Sequence, residues 1–228
     1  MPATSGLPAE VAPHTEVLYH RDMRLGRLVA AAAAFVSFIG CAASAPGRTK
    51  AAEPTLAQTI DAQIASEEAI VWTLRRPLTW ADFKGEPPNE AGIVAARTVY
   101  RIIDGAQCAR SKFEYRVVTT FRPKDSWVRH SILRTPADSA RALRHEQTHF
   151  DLSEVHARRL RRYFAELMAP CKMSPSDFSA AANRMEHDEK AAQVLYDSET
   201  QNGRVAAQQT RWDREVDSQL LALSKFVR

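Results

Sequence analysis

The sequence predicts an α+β fold, in which a small antiparallel sheet is followed by a helical bundle. Two observations predict it. Short segments in the middle of the chain alternate apolar and polar residues, as half-buried strands do. After Val128 the apolar residues recur at helical spacing, in long segments that have their own start and stop signals. Strands that precede a run of helices are typical of α+β domains.

The beginning of the chain indicates export. Residues 1–45 form an N-terminal extension and a signal peptide, because the arginines of Met23–Arg27 precede the apolar stretch 28–39. That stretch is shorter than a permanent membrane-spanning helix needs, so we expect cleavage and a location in the periplasm or cell envelope. Residues 46–69 then form a tether and a short amphipathic helix, and residues 70–228 form the functional domain.

The three cysteines suit an exported protein. Gly40 and Cys41 resemble a bacterial lipobox, which makes Cys41 a candidate lipidation site and membrane anchor; the alternative is ordinary cleavage among the small residues that follow. Cys108 and Cys171 remain as a pair that can form a disulfide in an oxidising compartment, with two buried free thiols as the alternative. The net charge of +4 is mild and gives no reason to expect a nucleic-acid partner.

The predicted strands lie between residues 71 and 121. Val71–Leu74 is a candidate strand, and the next predicted element, Trp80–Phe83, is a helical turn that places two aromatic rings in the core. Residues 95–103 and 112–121 alternate well enough to form two further strands. Asp104–Gly105 predicts the turn between these two strands.

The predicted helices occupy the rest of the chain. Thr135, as a hydroxyl N-cap before a proline, predicts a helix that runs to about Leu167. Ser174 repeats this start signal and predicts a second helix, which reaches towards Asp197. Residues 205–223 read as a final helix.

Residues 145–149, His-Glu-Gln-Thr-His, lie within the first long helix. The directions of His145 and His149 differ by roughly 40° around a helix, so both imidazoles can bind one ion. A catalytic zinc site needs three protein ligands and keeps a fourth position for water. Glu146 suits a general base that takes a proton from that water. We therefore predict one zinc ion per chain; the alternative is a solvated helix face with two incidental histidines.

The motif helix itself offers no convincing third ligand. His156 is on the same side as His145 but roughly 16 Å further along the axis, so we expect it at the surface. Glu154 is closer but points about 140° away from His149. A ligand from the second long helix is the better candidate, and the residues available there are His187, Asp197 and Glu199.

Charged residues that follow the motif have ordinary interpretations. Asp151 and Glu154 can orient the histidines as hydrogen-bond acceptors, or they can pair with nearby arginines. Those arginines form a basic run for which we expect a solvated face, with contact to anionic lipid headgroups as the alternative: Arg158, Arg159, Arg161 and Arg162.

Three separated motifs resemble one bacterial family. They are residues 78–85 (Leu-Thr-Trp-Ala-Asp-Phe-Lys-Gly), residues 143–158 around the two histidines, and residues 196–203 together with Gln209 and Trp212. These resemble the bacterial domain-of-unknown-function family 922, whose members are usually labelled zinc-dependent proteases. The chain departs from the family pattern at Asn202, where a histidine is common.

The resemblance implies roles for two further residues. Asp197 is the implied third zinc ligand, since a carboxylate from a second helix completes a two-histidine, one-aspartate site of the aspzincin type. Tyr196 is a candidate donor to a developing oxyanion, with a core tyrosine as the alternative. The predicted function is a zinc metallopeptidase of the cell envelope that acts on peptides or proteins. The alternative is an inactive envelope protein, or a peptide- or cell-wall-binding module, that keeps the same fold.

Overall fold

A computed structural model describes residues 53–89, 94–109 and 111–227. The expectations for residues 1–45, including the signal peptide and the lipidation of Cys41, lie outside these described residues. The described part confirms the α+β fold, with two small antiparallel sheets and five α-helices. Among the helices described, none combines the length and the apolar character that a membrane crossing requires.

The elements follow one another with short connections. The strands are Ile70–Val71 (β1), Ala96–Arg97 (β2), Tyr100–Ala109 (β3), Lys112–Phe121 (β4) and Trp127–Val128 (β5). The helices are Leu56–Ser66 (α1), His130–Leu133 (α2), Pro136–Glu166 (α3), Pro175–Thr200 (α4) and Ala206–Ala222 (α5). Short 3₁₀ turns cover Trp80–Asp82, Pro170–Lys172 and Ser224–Phe226. The main sheet has the order β1-β4-β3, and β2 pairs with β5 in a second, two-stranded sheet.

The main sheet is covered by a helix on each face, because successive side chains of a strand point to opposite faces. On one face, Val118 packs with Ile60 of α1. On the other face, Val117 packs with Leu160 of α3. Helices α4 and α5 also contact α3, so this 31-residue helix lies at the centre of the domain.

The prediction of a turn at Asp104–Gly105 is wrong, because both residues lie inside β3. A Cβ on Gly105 would lie 2.7 Å from Leu56 Cδ1, so the glycine allows α1 to approach the sheet closely. The single strand predicted over residues 95–103 is divided into β2 and the start of β3. At the division, the Val99 N–H donates to Ser126 Oγ over 2.9 Å.

The starts of the long helices agree with the prediction, and one detail differs. Thr135 is the N-cap of α3 and a proline follows it, but the threonine side chain makes no capping hydrogen bond. At α4, the Asp177 N–H donates to Ser174 Oγ in a complete capping box. A disulfide joins Cys108 of β3 to Cys171, which lies just before α4. The beginning of α4 is therefore tied covalently to the main sheet.

The solvated face expected for the basic run is wrong for two of its arginines. Arg158 and Arg161 are 5% and 4% exposed. They donate to the Glu154 carboxylate over 3.0 and 2.8 Å, so Glu154 is a salt-bridge partner of arginines. The surface position expected for His156 is also wrong, since it is 5% exposed and burial lowers its pKa to about 3.

Candidate metal centre

Two helices bring three metal-ligating side chains together. His145 and His149 project from α3, and Asp197 projects from α4. Asp197 Oδ1 lies 3.0 Å from Nε2 of each histidine, and the two Nε2 atoms are 3.2 Å apart. These three atoms can bind one cation together. They belong to the residues that the sequence and the family resemblance predict as ligands.

Gly203 allows the turn after α4 to pass close to His145. Helix α4 ends in consecutive left-handed residues, and Gly203 follows with φ +76°. A Cβ on Gly203 would lie 2.9 Å from His145 Cβ and 3.1 Å from His145 Cγ. Any other residue here would displace His145 or the turn after α4, so the glycine is part of how the imidazole is positioned.

The charges of Asp197 and His149 shift the pKa of each other. Burial alone would lower the pKa of His149, but the charge of Asp197 and its hydrogen bond outweigh burial and raise this pKa to about 9. Burial would raise the pKa of Asp197, but the charge of His149 and the hydrogen bonds from both histidines hold it well below its usual range. A carboxylate and an imidazolium therefore coexist here near neutral pH, and a cation binding here takes the place of that proton.

Tyr196 supports the two imidazoles from inside the core. Its ring stacks on His145 at 4.7 Å between centroids and meets His149 edge-on at 4.8 Å. Its side chain is 0% exposed, and its hydroxyl donates to Gln209 Oε1 over 2.9 Å. Tyr196 is thus a buried core residue, which was the alternative to the oxyanion role, and it is not among the residues that line the cleft.

Two buried glutamines, which sequence reasoning missed, contact the outer nitrogens of the imidazoles. Gln193 Oε1 lies 2.6 Å from His149 Nδ1, and Gln209 Oε1 lies 3.2 Å from His145 Nδ1. Gln193 precedes Asp197 by four residues, so helical spacing already placed both on one face of α4. Gln209 was part of the family resemblance, but nothing in the sequence linked it to a histidine.

A small cleft opens beside the candidate ligands. One wall is residues 94–98, around β2, and the opposite wall includes His145, Glu146 and His149. Glu146 lies in this cleft, as a general base must, and its charge helps to raise the pKa of His149. Asn202 also lines the cleft. The space is about 60 Å³, which is enough for a few water molecules.

The other candidate ligands lie elsewhere. Glu154 is bound to arginines, as described above, and His187 is exposed on α4. Glu199 accepts a hydrogen bond from Trp212 Nε1 over 2.6 Å. Asp151 accepts from Trp72 Nε1 over 2.7 Å and from the Gln147 amide, so it does not orient a histidine.

Comparison with known proteins places the chain in a family. The family model described as a bacterial protein of unknown function (DUF922) matches residues 84–203, more than half of the chain. The match includes all three candidate ligands, Glu146 and Gly203. No curated protein and no solved structure matches the chain. The chain is therefore a member of the bacterial family DUF922.

Proposed function

We propose that this protein is a zinc-dependent hydrolase of the bacterial cell envelope that cleaves peptide bonds. The observation that carries the proposal is the convergence of three donor atoms from His145, His149 and Asp197, with Glu146 in the adjoining cleft. Two imidazoles and one carboxylate are a ligand set that zinc accepts, and three protein ligands leave a coordination position for water. The Cys108–Cys171 disulfide suits an oxidising compartment such as the periplasm.

The spacing of the donor atoms supports a cation at this position. Atoms that each carry a lone pair repel one another at 3.0 to 3.2 Å unless a proton or a cation lies among them. The residues present therefore fit a divalent ion. When bound, zinc polarises a carbonyl oxygen and lowers the pKa of a water to roughly 7, which supplies hydroxide at neutral pH.

Glu146 performs the proton transfers of the proposed reaction. It lies next to His145 in sequence and lines the cleft, where it can accept a proton from an attacking water. It can then return this proton to the amine that leaves. The Thr98 hydroxyl donates to the Glu146 main-chain oxygen over 3.2 Å, which joins the motif helix to the opposite wall of the cleft.

A peptide needs more room than this cleft has in the structure. A space of about 60 Å³ holds water but not an amino-acid residue. A peptide would therefore lie across the open mouth of the cleft, or residues 94–98 would have to move away from α3 to admit a side chain. The same narrowness favours the second candidate function, a metal centre that only stabilises the fold.

Metal analysis tests the metal centre that both functions need, and one isosteric substitution then separates the two functions. We expect about one zinc per purified chain, and we expect its loss in His145→Ala, His149→Ala and Asp197→Ala. His187→Ala, which removes an exposed histidine from α4, is the matched control and should keep its zinc. Wild-type protein without zinc in the presence of added zinc would rule out both functions.

Glu146→Gln tests catalysis itself. This variant should keep its zinc and lose hydrolysis of a broad peptide library by a factor of about 10²–10⁴, because only the proton acceptor is removed. Equal behaviour of wild type and Glu146→Gln, with zinc bound in both, would instead establish the structural function.

A further inference from the structure

Each imidazole of the candidate metal centre turns its Nδ1 atom towards a buried glutamine. Gln193 on α4 is 1% exposed and Gln209 on α5 is 2% exposed. Their Oε1 atoms are 2.6 Å from His149 Nδ1 and 3.2 Å from His145 Nδ1. An amide can present either its oxygen or its NH₂ group to an imidazole, so the other contacts of each amide decide which it presents.

The contacts of Gln193 allow only one orientation. Its Nε2 atom lies 3.1 Å from the main-chain oxygen of His149, and 2.8 Å from Glu189 Oε1. A main-chain carbonyl only accepts hydrogen bonds, so the group that faces it must be the NH₂. The reverse orientation would place the amide oxygen against another oxygen. The oxygen of Gln193 therefore faces His149 Nδ1.

The contacts of Gln209 lead to the same result through a different acceptor. Its Nε2 atom lies 2.7 Å from Asp213 Oδ1, which also accepts from the Thr148 hydroxyl over 2.9 Å. Arg144 forms an ion pair with the other oxygen of Asp213. An ionised carboxylate only accepts hydrogen bonds, so the oxygen of Gln209 must face His145 Nδ1.

We propose that Gln193 and Gln209 are positioning residues that hold the Nδ1 proton on both imidazoles, so that each Nε2 is the nitrogen that binds an ion beside Asp197. The acceptors that orient these amides are the His149 main-chain oxygen for Gln193 and Asp213 for Gln209. A histidine that binds a metal through one nitrogen needs a partner for the other, and here both partners are neutral amides. Two neutral imidazoles and one carboxylate then face the ion. The inference rests on the proposed metal site and adds the residues that orient its ligands.

The test compares zinc affinity with the tautomers themselves. Gln193→Met and Gln209→Met keep the side-chain length and remove the acceptor, so each should weaken zinc binding by about 10- to 100-fold in a competition with a chelator. Gln208→Met is the matched control. Gln208 lies next to Gln209 on α5, and its side chain accepts a hydrogen bond from Arg211 and does not contact a histidine. Asp213→Leu leaves Gln209 in place but removes the acceptor that orients it, and should weaken binding by about 10-fold.

Nitrogen-15 spectra of labelled histidines in the zinc-loaded protein report which nitrogen of each ring carries the proton. Wild type should show His145 and His149 with protonated Nδ1 and with Nε2 bound to zinc. The Gln→Met variants, saturated with zinc, should show a mixture of tautomers. Wild type with zinc on Nδ1, or Gln→Met variants that bind zinc as tightly as wild type, would overturn the inference. Wild type that binds no zinc would refute the proposed metal site, and the inference with it.

Discussion

Replacing Gly203 by alanine should separate the stability of the domain from the geometry of the proposed metal centre. An L-residue in the left-handed conformation of Gly203 costs about 1–2 kcal/mol. The new methyl group would lie 2.9 Å from His145 Cβ, and overpacking of this kind costs about 1–3 kcal/mol. We therefore expect the free energy of unfolding to fall by about 2–5 kcal/mol.

The same substitution should also weaken metal binding. To reach an ordinary van der Waals distance from the new methyl group, His145 would have to move by about half an ångström. Metal–ligand distances tolerate a change of only about 0.2 Å. We expect a loss of zinc affinity of about 10- to 100-fold, comparable to the removal of a residue that orients a ligand. Chelator competition measures the affinity, and urea unfolding of the metal-free protein measures the stability.

Gly85→Ala is the matched control for this prediction. A Cβ on Gly85 would lie 2.7 Å from the Lys124 main-chain oxygen, so this variant should also lose stability by overpacking. Gly85 is not among the residues around the metal centre, and its zinc affinity should stay that of wild type. If Gly203→Ala binds zinc as tightly as Gly85→Ala, His145 is not positioned by this contact and the reasoning fails.

Three further predictions concern pH and the disulfide. Below the pKa of about 9 of His149 a metal must displace a proton, so zinc affinity should rise about tenfold per pH unit up to about pH 9 and then level off; an affinity independent of pH would contradict this. Burial lowers the pKa of His156 to about 3, below the value of about 6.5 in the unfolded chain, so stability is lost as pH falls through this range. Urea unfolding at pH 7 and pH 5 should therefore show a loss of about 2 kcal/mol in wild type that His156→Gln avoids, and equal losses would refute the assignment. Replacing Cys108 and Cys171 by serine should lower the free energy of unfolding by up to about 4 kcal/mol, and unchanged unfolding would show that the bond adds no stability.

The helices were predictable because their signals are local. The cap at Thr135 and the capping box at Ser174 are each contained within four residues, and both helices begin where those residues predict. The strands were harder to predict, because Asp104–Gly105 has the composition of a turn. In the structure Gly105 pairs with Arg116 of β4, and its missing side chain leaves room for Leu56 of α1. Contacts between distant residues, which the sequence pattern does not contain, decided that case.

The residues of the candidate site were likewise predictable only in part. The positions of His145 and His149 follow from helical spacing alone, whereas Asp197 needed the family resemblance to be preferred over the other acids of α4. The roles of Gln193 and Gln209 were not predictable. An amide on a helix has no sequence signature, and its role depends on which side chains from other helices surround it.

Helix α4 is secured close to both of its ends. The disulfide at Cys171, which lies just before its first turn, links the chain to the sheet, and with a cation present Asp197 would link its last turn to α3. Reduction and chelation would thus each remove one of these two links. Loss of zinc alone would leave the ligands close enough to bind again, so the centre could refill without the domain refolding.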